Sequence, residues 1–397
     1  MAEPISISEA LARVLARVSP LPAESVALPD SVGRVLAEPA RALVDLPPFP
    51  SSAMDGFAVR AADTPGTLPV GHRIAAGRPA QRALRPGEAM AIATGGAVPD
   101  GADAVVPIEY VVEYDNRVEI SAAPHPGDHV RPRAGDVRAG DIVVEAGSVL
   151  GPAQVGGLAA AGISEVRCAR RPRAAVLATG SELRAPGEVL GPGQIYESNG
   201  VLLSSALSSA GAEVERLPSV EDDPGLHRAA LARGLEYDVL VTSGGVSVGP
   251  HDLVRGVERE LGVEEVFWGV AVKPGKPVSF GLRGTTLVFG LPGNPVSALV
   301  GFELFVRPAL LALQGATWPG PRYESGRLVR ALRRDPRRDE LVRARSRSGE
   351  EGVVLDPIGG QESHMIARAA GADALVLVPR GEGEIAQGEQ VRFLRLA

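Results

Sequence analysis

Two lysines stand three residues apart in Lys273-Pro274-Gly275-Lys276-Pro277, and the chain of 397 residues has no others. The remaining 39 of its 41 basic residues are Arg. A composition that takes arginine everywhere else therefore keeps an ammonium at these two places. Lysine is a compact, strongly hydrated point charge, whereas arginine is a planar fork, so a tight pocket around a small tetrahedral anion admits the first and excludes the second. The two prolines and Gly275 hold the backbone extended or turned, and so project both ammonium groups from a stiff loop.

Three further segments combine glycine with hydroxyl or carboxylate side chains. They are Thr179-Gly180-Ser181-Glu182, the run from Gly244 and Gly245 through Ser247 to Asp252, and Gly290-Leu291-Pro292-Gly293-Asn294-Pro295. Consecutive glycines free backbone N–H groups to face an anion, and a helix that follows adds its positive end, so a phosphate-bearing ligand is implied. Glu182 and Asp252 beside such loops are suited to a hydrated Mg²⁺ that bridges phosphate oxygens. Asp252 alone reads equally well as a helix N-cap. Neither GxxxxGK[ST] nor GxGxxG is present. Ser51 to Ala58 and Thr94 to Asp103 also set a carboxylate or hydroxyl beside glycine, a pattern that taken alone marks turns.

The elements that must position these loops follow from periodicity. Arg173 to Thr179, Asp238 to Ser243 and Thr286 to Phe289 read as buried apolar strands, separated by helices that Asn199, Asp223-Pro224 and Asn294-Pro295 would open. This alternation predicts a central doubly wound, mostly parallel sheet, whose ligand loops lie beyond the carboxyl ends of the strands. The three glycine loops should then meet on one edge. Asn294 as N-cap and Pro295 at the first turn open a long apolar helix through Leu313.

Outside this centre, Ser6-Ile7-Ser8-Glu9 is a capping-box pattern for a helix through Val18, and Gly151-Pro152 opens a second helix whose Gly156-Gly157 pair permits close approach, including by another chain. Short apolar runs at Ala89 to Ala93, Ala104 to Pro107 and Val111 to Tyr114 predict a β-rich insertion. Residues 318–397 revert to short strands and predict a small β-barrel or sandwich. Its arginines, from Arg322 to Arg347, alternate with acids and read as a solvated face. The expected α/β multidomain chain comprises 1–44 with 137–170 as a helical, elongated dimerisation domain, 45–136 as the insertion, 171–317 as the ligand-binding domain, and 318–397 as the barrel.

A net charge of −7 argues against a nucleic-acid partner, and no apolar run of membrane-spanning length is expected. The N-terminus lacks a signal-peptide pattern, so a cytoplasmic enzyme is expected. The single Cys168 excludes an internal disulfide framework and a Cys-based zinc site, and the six scattered His, with no HxxxH pair, argue against a tight transition-metal site.

SAMDGFA at Ser52 to Ala58, TSGGVSVGPHD at Thr242 to Asp252, KPGKP at Lys273 to Pro277 and GLPGNPVSA at Gly290 to Ala298 together resemble the molybdopterin molybdenumtransferases. This is the MoeA family, which includes the E domain of gephyrin, and the likeness covers essentially the whole chain. It implies a homodimer that takes adenylylated molybdopterin and molybdate as substrates, uses Mg²⁺ and releases AMP as Mo is ligated by the dithiolene. A molybdopterin adenylyltransferase and molybdoenzymes or their chaperones would be transient partners. By resemblance, Lys273, Lys276, Arg343 and Ser363 would hold molybdate, while Glu182, Asp222 (or its neighbour Asp223, the better helix cap), Asp252, Pro292 and Pro295 match the pterin-nucleotide and metal side. Asp55, Thr94 and Asp136 match positions presented from the partner subunit. Two departures stand out. Gly269 follows Phe267-Trp268 where many relatives have Lys, and Glu362 lies next to Ser363 where a small residue is usual. A tungstate-preferring or degenerate enzyme, a non-catalytic scaffold, and an adenylyltransferase sharing only the central domain remain the competing readings.

Overall fold

The computed structural model describes residues 3–220, 223–245, 253–350 and 352–396. At its centre lies a six-stranded sheet in the order Glu213–Arg216, Arg173–Ala178, Val239–Ser243, Thr286–Leu291, Ser279–Arg283, Glu264–Trp268. The first four strands are mutually parallel, and the last two form an antiparallel edge. Both faces are covered. Ala174, Val176, Val239 and Val241 pack with the helix Asn199–Ser209 and the run from Pro295 to Leu313 on one side. Ala175, Leu177 and Leu240 pack with Pro224–Gly234 and Leu253–Glu260 on the other. Burial on both faces is why these strands read as continuous apolar runs.

The long helix expected from Pro295 is present and contains a π-turn at Phe302–Val306, immediately before Pro308, whose missing N–H cannot continue the regular ladder. One expectation is corrected here. By length and composition Pro295–Leu313 could cross a membrane, but 78% of its apolar window is buried inside the protein, and its Glu303 and Arg307 pair at 2.7 and 2.9 Å.

The first helix is Ile7–Leu15, with Ser6 Oγ accepting from the Glu9 N–H at 3.1 Å. It stops short of Val18, ahead of the Ser19-Pro20 step that disfavours helix. The Glu9 carboxylate turns to Arg13 at 2.6 Å, so only half of the capping box forms. Ile7, Ala10 and Val14 share one side and enter the central core with Phe302, Phe305 and Leu310. This helix therefore packs on the central sheet and not within the elongated domain.

That domain is less helical than expected. Beyond the single 3-10 turn Leu28–Asp30, Pro152–Ala160 is its one described helix, beside the two-stranded sheets joining Ala23–Ala27 to Glu165–Ala169 and Ala40–Arg41 to Ile142–Val144. The insertion is a six-stranded sheet in the order Ala104–Pro107, Gly56–Val59, Ala89–Ile92, Gly66–Ile74, Arg117–Ile120, Val111–Tyr114. At the C-terminus Tyr323–Leu328, Asp339–Gly349, Gly352–Pro357, Ala374–Val378 and Gln390–Arg395 close on themselves as a five-stranded barrel. A short strand, Val272–Lys273, pairs in parallel with Asp339 and Glu340 and joins the lysine loop to the barrel.

Candidate active site

The glycine loops meet on one edge of the central sheet. Thr179 donates its N–H to Ser243 O at 3.0 Å, and Gly244 donates to Leu291 O at 3.1 Å. Gly244 adopts φ +95°, and a Cβ there would lie 2.7 Å from Thr179 O, so strand-end contact and backbone conformation both require glycine. Gly245 (φ +63°) is pressed against Val254 in the same way, and Gly293 lies against Gly244. Ser247, Asp222 and Asp252 lie outside the described residues.

Asn199 is not the cap it was read as. It occupies the first helical turn, and its buried Nδ2 donates to Ser243 Oγ and to Gly293 O, both at 2.7 Å. It thus ties two of the three glycine loops together. A polar residue at a helix start gave no sign of this, because both partners are far away in the chain. Asn294 is the N-cap of Pro295–Gly301 by position but makes no side-chain capping bond. The Val296 N–H of that helix instead donates to Ser363 O at 3.1 Å, which seats the C-terminal barrel loop on the start of the helix.

Glu182 is exposed beside Gly180, and no hydrogen bond or ion pair among the described residues occupies its carboxylate. No group of three His, Cys, Asp or Glu suited to a metal occurs among them. One carboxylate beside the glycine-loop edge still fits Mg²⁺, which commonly takes one or two carboxylates and draws its other ligands from water and substrate.

The two lysines have different neighbours. Lys273 Nζ lies 3.0 Å from Glu340 Oε1 across the seam with the barrel. Between the lysines Gly275 adopts φ +109°, with Ser297 O 3.4 Å from where a Cβ would stand. Lys276 borders a cavity with Arg337, Arg338 and Arg380. Arg343 is wholly buried. Its guanidinium donates to Gly360 O (2.7 Å), Met365 O (2.8 Å), Glu362 O (3.2 Å) and Gln361 Oε1 (3.3 Å). Burial pushes its pKa down from the ordinary value, and nearby Glu362 opposes this. As placed, Arg343 shapes the loop that carries Ser363 and does not present its fork to solvent.

Asp55 and Thr94 come together on the insertion. Thr94 donates its N–H (2.7 Å) and its hydroxyl (3.0 Å) to Asp55 Oδ1, and these bonds hold the Asp55 carboxyl below its ordinary pKa. Both residues are exposed. Asp136 is exposed on the adjoining segment, where its N–H donates to Leu46 O at 2.9 Å.

Gly269 adopts φ +90°, with its N–H on Val278 O and its carbonyl accepting from Ile5. The missing lysine therefore cannot be restored without strain. Gly269→Lys is expected to cost about 1 kcal/mol and give no gain in anion use, as thermal denaturation together with an activity assay would show.

Comparison with known proteins agrees with this architecture. Residues 5–162 match the MoeA N-terminal region (domain I and II), 175–312 a probable molybdopterin binding domain, and 325–396 the MoeA C-terminal region (domain IV). Molybdopterin molybdenumtransferase 2 of Mycobacterium tuberculosis is 39% identical over 383 residues, 93% of this chain and 94% of that protein. The molybdopterin molybdenumtransferase of Haemophilus influenzae is 34% identical over 394 residues, 98% and 97% of the two chains. The crystal structure of the molybdopterin biosynthesis MoeA protein from Pyrococcus horikoshii OT3 superposes with a TM-score of 0.86 at 28% identity, covering 99% of this chain and 100% of that one. With the described parts of the glycine loops, the lysine loop and the barrel in place, the chain belongs to the molybdopterin molybdenumtransferases, the MoeA family, and is a transferase.

Proposed function

We propose that this chain inserts molybdenum from molybdate into adenylylated molybdopterin and releases AMP. The bond from Val296 N–H to Ser363 O carries the reading. It brings the barrel loop onto the helix that opens at Pro295, beside the Gly275 turn of the lysine loop and next to the phosphate-binding edge. An oxyanion side and a pterin-phosphate side then adjoin. When bound, Mg²⁺ would neutralise charge on the substrate phosphates, and Glu182 is the described carboxylate that would hold it. Asn199 holds the strand end at Ser243 to the Gly293 turn, Arg343 holds the loop that carries Ser363, and the ammonium groups supply donors to a tetrahedral dianion. Purified protein given adenylylated molybdopterin, Mg²⁺ and molybdate should release AMP and form active cofactor. A scaffold paralogue would release none, and substituting tungstate tests metal preference.

Lys273→Arg and Lys276→Arg should each raise the molybdate requirement about ten- to a hundredfold, because the fork does not fit where an ammonium does. At 273 an arginine can still pair with Glu340, so the loss there reports the anion and not the seam. Wild-type molybdate dependence in both variants would place the anion site elsewhere.

A cytoplasmic homodimer is part of this proposal, as is transient handover from an adenylyltransferase and to molybdoenzymes or their chaperones. Two observations support the dimer. Only Leu158 of the apolar helix Pro152–Ala160 is buried, and a Cβ on Gly156 would meet nothing within the chain. The Asp55–Thr94 pair also stands exposed on a separate domain, as it would if it served a neighbouring subunit's site. Light scattering at micromolar concentration should give twice the chain mass; a fully active monomer would refute this.

A further inference from the structure

At the antiparallel edge of the central sheet, between the helix Leu253–Glu260 and the strands Ser279–Arg283 and Glu264–Trp268, lies a cavity of about 260 Å³ that Glu258, Val263, Phe280 and Val288 help to line. We propose that this cavity is a binding site for a small organic cation with a planar amidine or guanidine head, held by the Glu258 carboxylate.

Two backbone features shape the space. Gly281 is pressed against the turn before the edge strand, since a Cβ there would lie 2.8 Å from Val263 Cγ1 and 2.9 Å from Glu264 O. The pairing of the two edge strands then slips between Glu265 and Phe267, and such a bulge bends the strand that carries it.

Glu258 is 7% exposed, and its buried Oε1 has no hydrogen-bond partner among the described residues. Buried polar atoms are nearly always paired, because an unpaired one gives up its hydration for nothing in return. The surrounding cations do not serve it. Arg255 donates from Nε and one terminal nitrogen to the two Glu265 oxygens at 2.9 and 3.0 Å, and its guanidinium lies 4.9 Å over the Trp268 ring. Arg259, the other cation bordering the cavity, is exposed, so water screens it. On the adjacent helix Pro224–Gly234, Arg228 is taken by Glu260 at 2.7 Å. With Glu258 ionised, three carboxylates border the cavity against two guanidiniums, which favours one further positive charge.

The wall also selects the kind of cation. Among the described residues no group of three His, Cys, Asp or Glu suited to a metal occurs, which favours an organic cation. A carboxylate takes two parallel N–H donors from a planar fork, and Val263, Phe280 and Val288 supply apolar contact for a short body. The volume falls below the roughly 300 to 1,000 Å³ of pockets that take drug-sized molecules, so the ligand is small. Burial first, and then Glu265, push the Glu258 carboxyl up to about 8, with Arg255 opposing. At neutral pH a bound cation must therefore displace a proton, and affinity rises with pH until about pH 8 and then levels.

The inference stands apart from the proposed transfer, and AMP release neither supports nor opposes it. Isothermal titration calorimetry of the full chain with benzamidine at pH 8 should show one saturable site with a Kd of about 1 mM or tighter, weakening about fivefold at pH 7 as the carboxylate fraction falls. Neutral benzamide should bind at least tenfold more weakly. Glu258→Gln should raise the benzamidine Kd at least tenfold at pH 8, and a thermal midpoint equal to that of the wild type at pH 5 shows that the variant is folded. Glu264→Gln, which removes an exposed carboxylate of the rim, should bind within threefold of wild type. The site is refuted if the wild type shows no saturable heat up to about 20 mM benzamidine, if Glu258→Gln binds within twofold of wild type, or if affinity is the same at pH 7 and pH 8.

Discussion

Replacing Arg343 by methionine is expected to cost about 2 to 4 kcal/mol and to loosen the loop from Gly359 to Met365, although no carboxylate among the described residues hydrogen-bonds to it. The guanidinium is fully buried and donates to three carbonyl oxygens and the Gln361 side chain. Hydrogen bonds to a charged group contribute about 1.5 to 3 kcal/mol each, but removing a buried charge also removes its desolvation penalty, so the net falls well below the sum. Gln361 completes the latch, accepting from the Arg343 N–H at 3.0 Å and donating to Arg343 O at 2.9 Å. Arg343→Lys keeps the charge and loses the fork. If Arg343 positions the loop, amide exchange at Ile358 and Met365 should accelerate at least tenfold in both variants with no ligand present. If it touches molybdate directly, Arg343→Lys should keep wild-type exchange and lose only molybdate use. Unchanged exchange in the methionine variant would reject the positioning role.

Glu258 should make the central domain less stable as pH rises, and Glu258→Gln should abolish that dependence. This residue is 7% exposed on the helix Leu253–Glu260, and its Oε1 has no hydrogen-bond partner. It borders a cavity of about 260 Å³ with Arg255, Arg259, Glu264 and Glu265. Burial first, and then repulsion from Glu265, push its carboxyl up to about 8, while Arg255 pulls the other way. The sign follows from linkage. An unfolded carboxyl ionises near pH 4.5, so between there and pH 8 the folded state holds the extra proton, and stability falls as pH rises until both states are ionised. The total is on the order of 3 to 5 kcal/mol. The neutral amide of Gln imitates the protonated acid, so wild type and variant should match near pH 5, and the variant should be the more stable above pH 8. Equal differences in thermal midpoint at pH 5 and 8.5 would show that Glu258 does not titrate in this range.

The central sheet was legible because its signals are local. Arg173–Ala178, Val239–Ser243 and Thr286–Leu291 are apolar on both faces, and a strand sealed on both faces can belong only to a covered sheet. The Ser6 cap and the Gly151-Pro152 start are likewise written within four residues of the helices they open. The lysine pair was conspicuous through composition alone.

Arg343 shows where such reading stops. In the strand Asp339–Gly349 arginines alternate with other residues and read as a solvated face. Closure of the barrel sends Val342 and Ala344 inward and Leu341 against the central core, and leaves Arg343 under the 358–365 loop. Nothing near Arg343 in the chain announces carbonyl partners 17 to 22 residues away. The first helix was misplaced for a similar reason: its apolar stripe shows that it must be covered, not which core covers it. Asn199 and the cations around Lys276 belong to the same class. Residue type, spacing and capping act within a turn or a strand, so the sequence by itself determined the elements, the glycine loops and the ammonium pair. Which polar groups were then buried, and which charges were brought together, depended on contacts between segments that only the tertiary structure joins, where desolvation rewards the partner that happens to lie opposite.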